Sequence, residues 1–108
     1  YRGQILLKQG KPRESIYFFN QVIASVGEYS KSVPNRAEAY VALKLFDSAI
    51  IDYKKTSYFN FDFYKPLAEV YKTMKLKDSA LKYYKLFLKH YPDSNSVKIE
   101  IEHLENGG

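Results

Sequence analysis

The stretch from Tyr64 to Pro92, YKPLAEVYKTMKLKDSALKYYKLFLKHYP, constrains this chain more than any other. Tyr64, Leu67, Ala68 and Tyr71 fall at i, i+3, i+4 and i+7, which is one face of a helix. A polar break around Asp78 follows, and then Leu81, Tyr84, Leu88 and Tyr91 lay out a second helical face. Two amphipathic helices joined by so few residues must run antiparallel. Ala80, near the start of the second helix, is small enough to let the two backbones approach closely. Such a hairpin cannot cover its own apolar faces and needs neighbours of the same kind.

The chain contains those neighbours. Lys44 to Lys55, KLFDSAIIDYKK, aligns under Lys75 to Leu86, KLKDSALKYYKL, at an offset of 31 residues. Lys, Leu, Asp, Ser, Ala, Tyr and Lys coincide. A further step of 34 residues back from Ala49 reaches Ser15, inside Gly10-Lys11-Pro12-Arg13-Glu14-Ser15-Ile16-Tyr17-Phe18-Phe19. The pattern resembles the tetratricopeptide repeat, which carries an aromatic, Leu, small, Tyr, Ala, Phe, Pro signature. Tyr64, Leu67, Ala68, Tyr71, Ala80, Tyr84 and Pro92 fill those slots in order, and Phe87 is larger than the Ala common at its position. Ala37 and Gly3 match Ala68 at the small slot of the first helix.

The resemblance implies an all-α fold, an α-solenoid of three antiparallel helix hairpins with a C-terminal capping helix. It implies one domain over residues 1–108, with repeats at about 1–29 (truncated at its front), 30–60 and 61–94, and a cap at 95–106. In the first hairpin, helices are expected near 1–9 and 13–26. Gly10 closes the first of these and Pro12 opens the second, where a missing N–H costs nothing. Ile16, Phe19 and Ile23 form the expected buried stripe, and Gly27 to Val33 a polar linker. The second hairpin is expected at 35–45 and 47–59. Ala37, Tyr40 and Leu43 or Lys44 set its first face, Asp47 is its cap, and Ala49, Ile50 and Tyr53 set its second face. This repeat is three residues short and lacks the closing Pro. A sharp, well-packed aromatic turn is expected over residues 57–63, with Asp62 near the next helix start. Val97, Ile101 and Leu104 share a helical face that omits Ile99. Val97, Ile99 and Ile101 also alternate as a strand would, and the need of a repeat stack for a polar-backed cap decides for helix.

Composition removes several function classes. The chain has 108 residues, enough for one domain, and no cysteine, so neither a disulfide framework nor a thiolate metal site exists. No apolar run is long enough to span a membrane. His90 lies at a helix end, where it favours the negative pole of the dipole. His103 has Glu100 three residues before it, half of a di-iron spacing, but the second half is missing. There is no P-loop, GxGxxG, HExxH or GxSxG. No set of residues points to catalysis, a metal or a cofactor.

Between Lys65 and Lys89 seven lysines stand against Glu69 and Asp78, a net of +5 that equals the charge of the whole chain. Lys72, Lys75, Lys82, Lys85 and Lys89 occupy faces that such a hairpin must solvate, and the segment has no arginine for forked phosphate contacts. A solvated face is favoured over a nucleic-acid site. What remains is the concave surface that, by the resemblance, the first helices of the hairpins line. It would hold Gln4, Leu7 and Lys8, then Asn35, Glu38, Val41 and Ala42, then Lys65, Glu69, Lys72 and Thr73. One subclass of the family grips a C-terminal carboxylate with a Lys, Asn, Asn, Lys, Arg clamp. Asn35 and Lys65 match two of its slots, but Gln4 replaces an Asn and Glu69 replaces the Arg, which argues against the clamp. The expected function is a non-catalytic protein–protein interaction scaffold that binds a partner peptide or helix in its groove. The alternative is a regulatory or sensor segment of a longer bacterial protein acting by intramolecular docking or self-association.

Overall fold

The computed structural model describes residues 5, 8–27 and 31–107. Six helices are complete within them: α1 (Pro12–Val26), α2 (Ser32–Ala42), α3 (Phe46–Ser57), α4 (Tyr64–Thr73), α5 (Lys77–His90) and α6 (Asn95–Glu105). A 3-10 turn (Phe61–Phe63) precedes α4. The described residues contain no strand, so the fold is all-α, as the periodicity requires. The chain divides into two compact units, Tyr1–Thr56 and Ser57–Gly108.

One local device recurs in register. Gly10, Lys44 and Lys75 all have left-handed backbones, with φ of 77°, 61° and 61°. Each stands five residues before a small residue that is fully buried: Ser15, Ala49 and Ala80. At the two lysines the helix closes in the same way. Leu45 N–H donates to the Tyr40 carbonyl at 2.8 Å, and Leu76 N–H donates to Tyr71 at 2.9 Å. Lys44 N–H reaches Val41 and Lys75 N–H reaches Lys72, each at 2.9 Å. These bonds satisfy carbonyls that a helix end leaves without partners and reverse the chain. At Ala80 the small residue lets α5 pack closely on α4. Ser15 fills this slot without an orphaned hydroxyl, because its Oγ donates to the Pro12 carbonyl at 2.7 Å.

In the first unit α1 packs against α2. Phe19, Val33, Ala37, Ala39, Ala49 and Tyr53 form the apolar core. Ile16 and Ile23, expected in the buried stripe with Phe19, are only half-buried. Val33 corrects a boundary. It belongs to α2, not to a linker, and is 1% exposed. Pro34 did not mark a helix start. It is accommodated in the first turn, where no N–H is needed. Asp47 likewise stands inside the first turn of α3, near the positive pole of the dipole, and the capping carbonyl is that of Leu45, which accepts from Ala49 N–H.

The first unit also buries a charge pair. Arg36 of α2 grips Asp52 of α3 with two bonds, Nε to Oδ2 at 2.8 Å and Nη2 to Oδ1 at 2.7 Å. Its third nitrogen donates to Asn20 of α1 at 2.9 Å, and its guanidinium lies over the Tyr40 ring. Asp52 is 2% exposed. One arginine thus ties three helices.

In the second unit the helices α4, α5 and α6 bury Leu67, Ala68, Val70, Tyr71, Ala80, Tyr84, Val97, Ile101 and Leu104. Ile99 is exposed, as the helical reading of the cap requires. Parallel rings line the α4–α5 seam. Tyr83 stacks on Tyr71 (5.5 Å between centroids) and on Tyr64 (6.0 Å), and Phe61 stacks on His90 (3.8 Å). The turn before α4 is less packed than its composition promises, since Tyr58, Phe59 and Phe61 are all exposed. Its anchor is polar: the Asn60 side chain accepts from Asp62 N–H at 3.0 Å. Tyr91 lies one residue beyond α5 and is exposed, not part of its buried face, because the helix stops before Pro92. A hydrogen bond to the Asp62 carboxylate raises its pKa, with desolvation and the Asp62 charge adding to the shift.

Three outcomes follow for stability. Lys75→Gly removes the strain of a left-handed non-glycine residue and should stabilise the chain by about 1 kcal/mol, seen as a higher urea midpoint at unchanged slope. Asp52→Ala leaves Arg36 without its carboxylate and should cost about 3 kcal/mol by the same measurement. Tyr84 is fully buried and its hydroxyl has no hydrogen-bond partner among the described residues. Tyr84→Phe should therefore be neutral or slightly stabilising at pH 7. Burial, with Glu69 and then Glu100 adding to it, pushes the folded phenol well above its ordinary value of 10.0. Unfolding above that ordinary value releases a proton that folding holds, so stability falls as pH rises through it. A stability–pH profile should show a flatter alkaline limb for Tyr84→Phe.

Candidate peptide-binding faces

Polar residues on the outer side of a helix are placed by the buried stripe on its other side. On α4, Leu67, Ala68, Val70 and Tyr71 point inward, so Lys65, Glu69 and Lys72, at i, i+4 and i+7, form the opposite stripe. Glu69 and Lys72 are exposed and Lys65 is half-buried. Thr73 beside them donates its hydroxyl to the Glu69 carbonyl at 2.9 Å. On α2, Val33, Ala37 and Ala39 turn inward, and Asn35, Glu38, Val41 and Ala42 lie along the other side. Glu38 and Ala42 are exposed, Asn35 and Val41 half-buried. Lys8 is an exposed helical residue, and Gln4 and Leu7 lie outside the described residues. The candidates therefore fall into two sets, Lys8 to Val41 on the first unit and Lys65 to Lys72 on the second.

The second unit adds partners that spacing along α4 does not reveal. Lys72 Nζ lies 2.8 Å from Glu100 Oε2 of α6. That pair bridges a cleft of about 380 Å3 lined by Lys72, Glu100, His103 and Leu104. Tyr84 of α5 is fully buried; that burial, with the charges of Glu69 and Glu100 adding to it, raises its pKa. A smaller cleft of about 200 Å3 is lined by Ile99, Glu102, His103 and Asn106. Arg36 and Asp52 were also missed, and a signal existed. Arg36 occupies the slot that Leu67 fills one repeat later, and Asp52 the slot of Tyr83. A charged residue in each of two slots that the next repeat fills with Leu and Tyr marks a pair.

The arrangement offers contact and charge. Among the described residues no group of three or more His, Cys, Asp or Glu could hold a metal ion, and no helix is long and apolar enough to cross a membrane. His90 is stacked on Phe61, and His103 lines the clefts of α6.

Residues 67–94 match the family profile described as tetratricopeptide repeat. No curated protein sequence matches the chain significantly. Among solved structures, the chain is similar to the first TPR of Spaghetti (RPAP3) bound to the HSP90 peptide SRMEEVD, at 23% identity and a TM-score of 0.85, covering 98% of this chain and 86% of that one. It is similar to the Arabidopsis OM64 TPR domain, at 19% identity and a TM-score of 0.84, with 98% and 90% covered. It is also similar to MamA, at 19% identity and a TM-score of 0.87, covering 97% of this chain and 63% of that one. Residues 67–94 thus carry a tetratricopeptide-repeat signature, and nearly the whole chain shares the fold of solved TPR domains.

Proposed function

We propose that the chain is a non-catalytic scaffold that binds a peptide or helix of a partner protein on the exposed faces of its first helices. The observation that carries this is the stripe Lys65, Glu69, Lys72 on α4, backed by a packed core and opening onto the cleft against α6. Such a face offers pairing along a short segment without any rearrangement of the helices behind it. On the second unit Lys65 and Glu69 offer charge pairs to a peptide; the first unit, taken by itself, offers apolar contact at Val41 beside Asn35 and Glu38. Two structurally similar TPR domains of RPAP3 hold the peptides SRMEEVD and SGPTIEEVD, which supports the peptide-binding reading. Both peptides end in acidic residues. Glu69, at the position where the clamp carries an arginine, would repel a carboxylate, so the ligand of this chain differs from those.

The test is selection from a phage-displayed random peptide library on the immobilised chain. Affinities of the selected peptides are then measured on Lys65→Glu and Val41→Asp. At least one of the two should weaken binding by about tenfold, the scale of one lost contact of about 1.4 kcal/mol. Unchanged affinity in both moves the site elsewhere, and failure to select any saturably binding peptide overturns the scaffold reading.

A further inference from the structure

We propose that Glu100 of the capping helix is an internal competitor for Lys72. It occupies that lysine as a ligand's carboxylate would, so the cap sets how strongly the α4 face answers acidic ligands. This rests on the peptide-binding reading and adds a regulation of the same face.

The contact itself is the first argument. Lys72 Nζ lies 2.8 Å from Glu100 Oε2, the length of a hydrogen bond between an ammonium and a carboxylate. The two residues stand 28 positions apart, Lys72 on the outward stripe of α4 and Glu100 on α6. Their side chains are 41% and 37% exposed, so solvent and solutes reach both. The adjoining cleft of about 380 Å3, lined by Lys72, Glu100, His103 and Leu104, gives a second carboxylate room to come up beside the first. Lys72 is therefore occupied but not enclosed.

The second argument is magnitude. An exposed ion pair of this kind shifts an equilibrium by about fivefold or less. It is not what holds α6 in place, because Val97, Ile101 and Leu104 are buried and α6 packs on α5. A bond that adds little to folding is still large enough to bias a choice between ligands. Glu100 is carried on the chain, so dilution does not remove it, whereas a ligand's carboxylate is diluted away. Competition at Lys72 is thus present at every ligand concentration.

A sister contact separates competition from mere attachment of the cap. Glu105, also on α6, lies 3.3 Å from Lys85 of α5, and that pair is exposed too. Each glutamate ties α6 to the hairpin through one lysine. Only Lys72 stands on the stripe of Lys65 and Glu69 that is proposed to face the peptide. If such pairs served attachment alone, the two would be equivalent. Competition makes them unequal: losing Glu100 frees a lysine of the binding face, and losing Glu105 does not.

The experiment titrates the isotopically labelled full chain at low salt with N-acetyl-Glu-Glu amide, an acidic probe, and N-acetyl-Gln-Gln amide, its uncharged counterpart. Glu100→Gln should bind the acidic probe about three- to fivefold more tightly than the parent chain, with saturable amide shifts at Lys72. Glu105→Gln, which changes the net charge by the same amount, should leave the affinity as in the parent chain. Adding Lys72→Gln to Glu100→Gln should abolish the gain, and the uncharged probe should show none. No gain in Glu100→Gln, an equal gain in Glu105→Gln, or a gain that survives Lys72→Gln each overturns the inference. Should no gain appear while library peptides still bind and still respond to Lys65→Glu or Val41→Asp, the competition falls and the scaffold reading stands. Should the gain appear while no library peptide binds, the competition stands and the scaffold reading falls.

Discussion

The fold depends on small residues placed near the starts of three helices: Ser15 of α1, Ala49 of α3 and Ala80 of α5. Each of these residues is fully buried, and each is set by a left-handed residue five positions earlier. Packing density leaves no slack at such a point: a larger side chain would have to push the helices apart. The turn and the crossing act as one unit. The hydrogen-bonded closure at Lys44 and Lys75 fixes where the second helix starts, and the alanine fixes how near it comes. Two of the three turns accept a lysine where glycine would be unstrained, so the closure bonds and the crossing together outweigh a backbone cost of about 1 kcal/mol.

Behind this shared geometry the two well-described hairpins hold their seams differently. In the later one, Leu67 fills the core and Tyr83 stacks between Tyr64 and Tyr71. In the earlier one, the corresponding slots hold Arg36 and Asp52, which meet as a bidentate pair, with Asn20 taking the remaining donor and Tyr40 lying under the guanidinium. One seam is held by apolar and aromatic contact. The other is directional, because an arginine fork and a carboxylate satisfy each other in one register only. Burying the pair adds little net stability, but losing either member is expensive. The value of the pair is in fixing α1, α2 and α3 together.

The proposed binding chemistry grows out of the same logic. Once the apolar stripe of α4 is committed to the core, Lys65, Glu69 and Lys72 have no choice but to face outward. The capping helix then brings Glu100 to Lys72. The polar-backed cap therefore does more than solvate its outer side: Glu100, His103 and Leu104 line a cleft with Lys72.

Period and register were legible in the chain alone. The spacing of Tyr64, Leu67, Ala68 and Tyr71 dictated a helix, and the 31-residue echo of KLxDSA dictated a second copy of its hairpin. The outward stripe of α4 came from the resemblance to the repeat family, and the buried face of α6 followed from Val97, Ile101 and Leu104. These features are local, fixed by a backbone repeat of 3.6 residues and by side-chain size. Tertiary structure decided what periodicity cannot encode: the bond from Arg36 to Asp52, the bridge from Lys72 to Glu100, the exposure of Tyr58, Phe59 and Phe61, and the placing of Val33 inside a helix despite Pro34. Each of these depends on which side chain arrives from a different element, and that is set only when helices distant in sequence have packed.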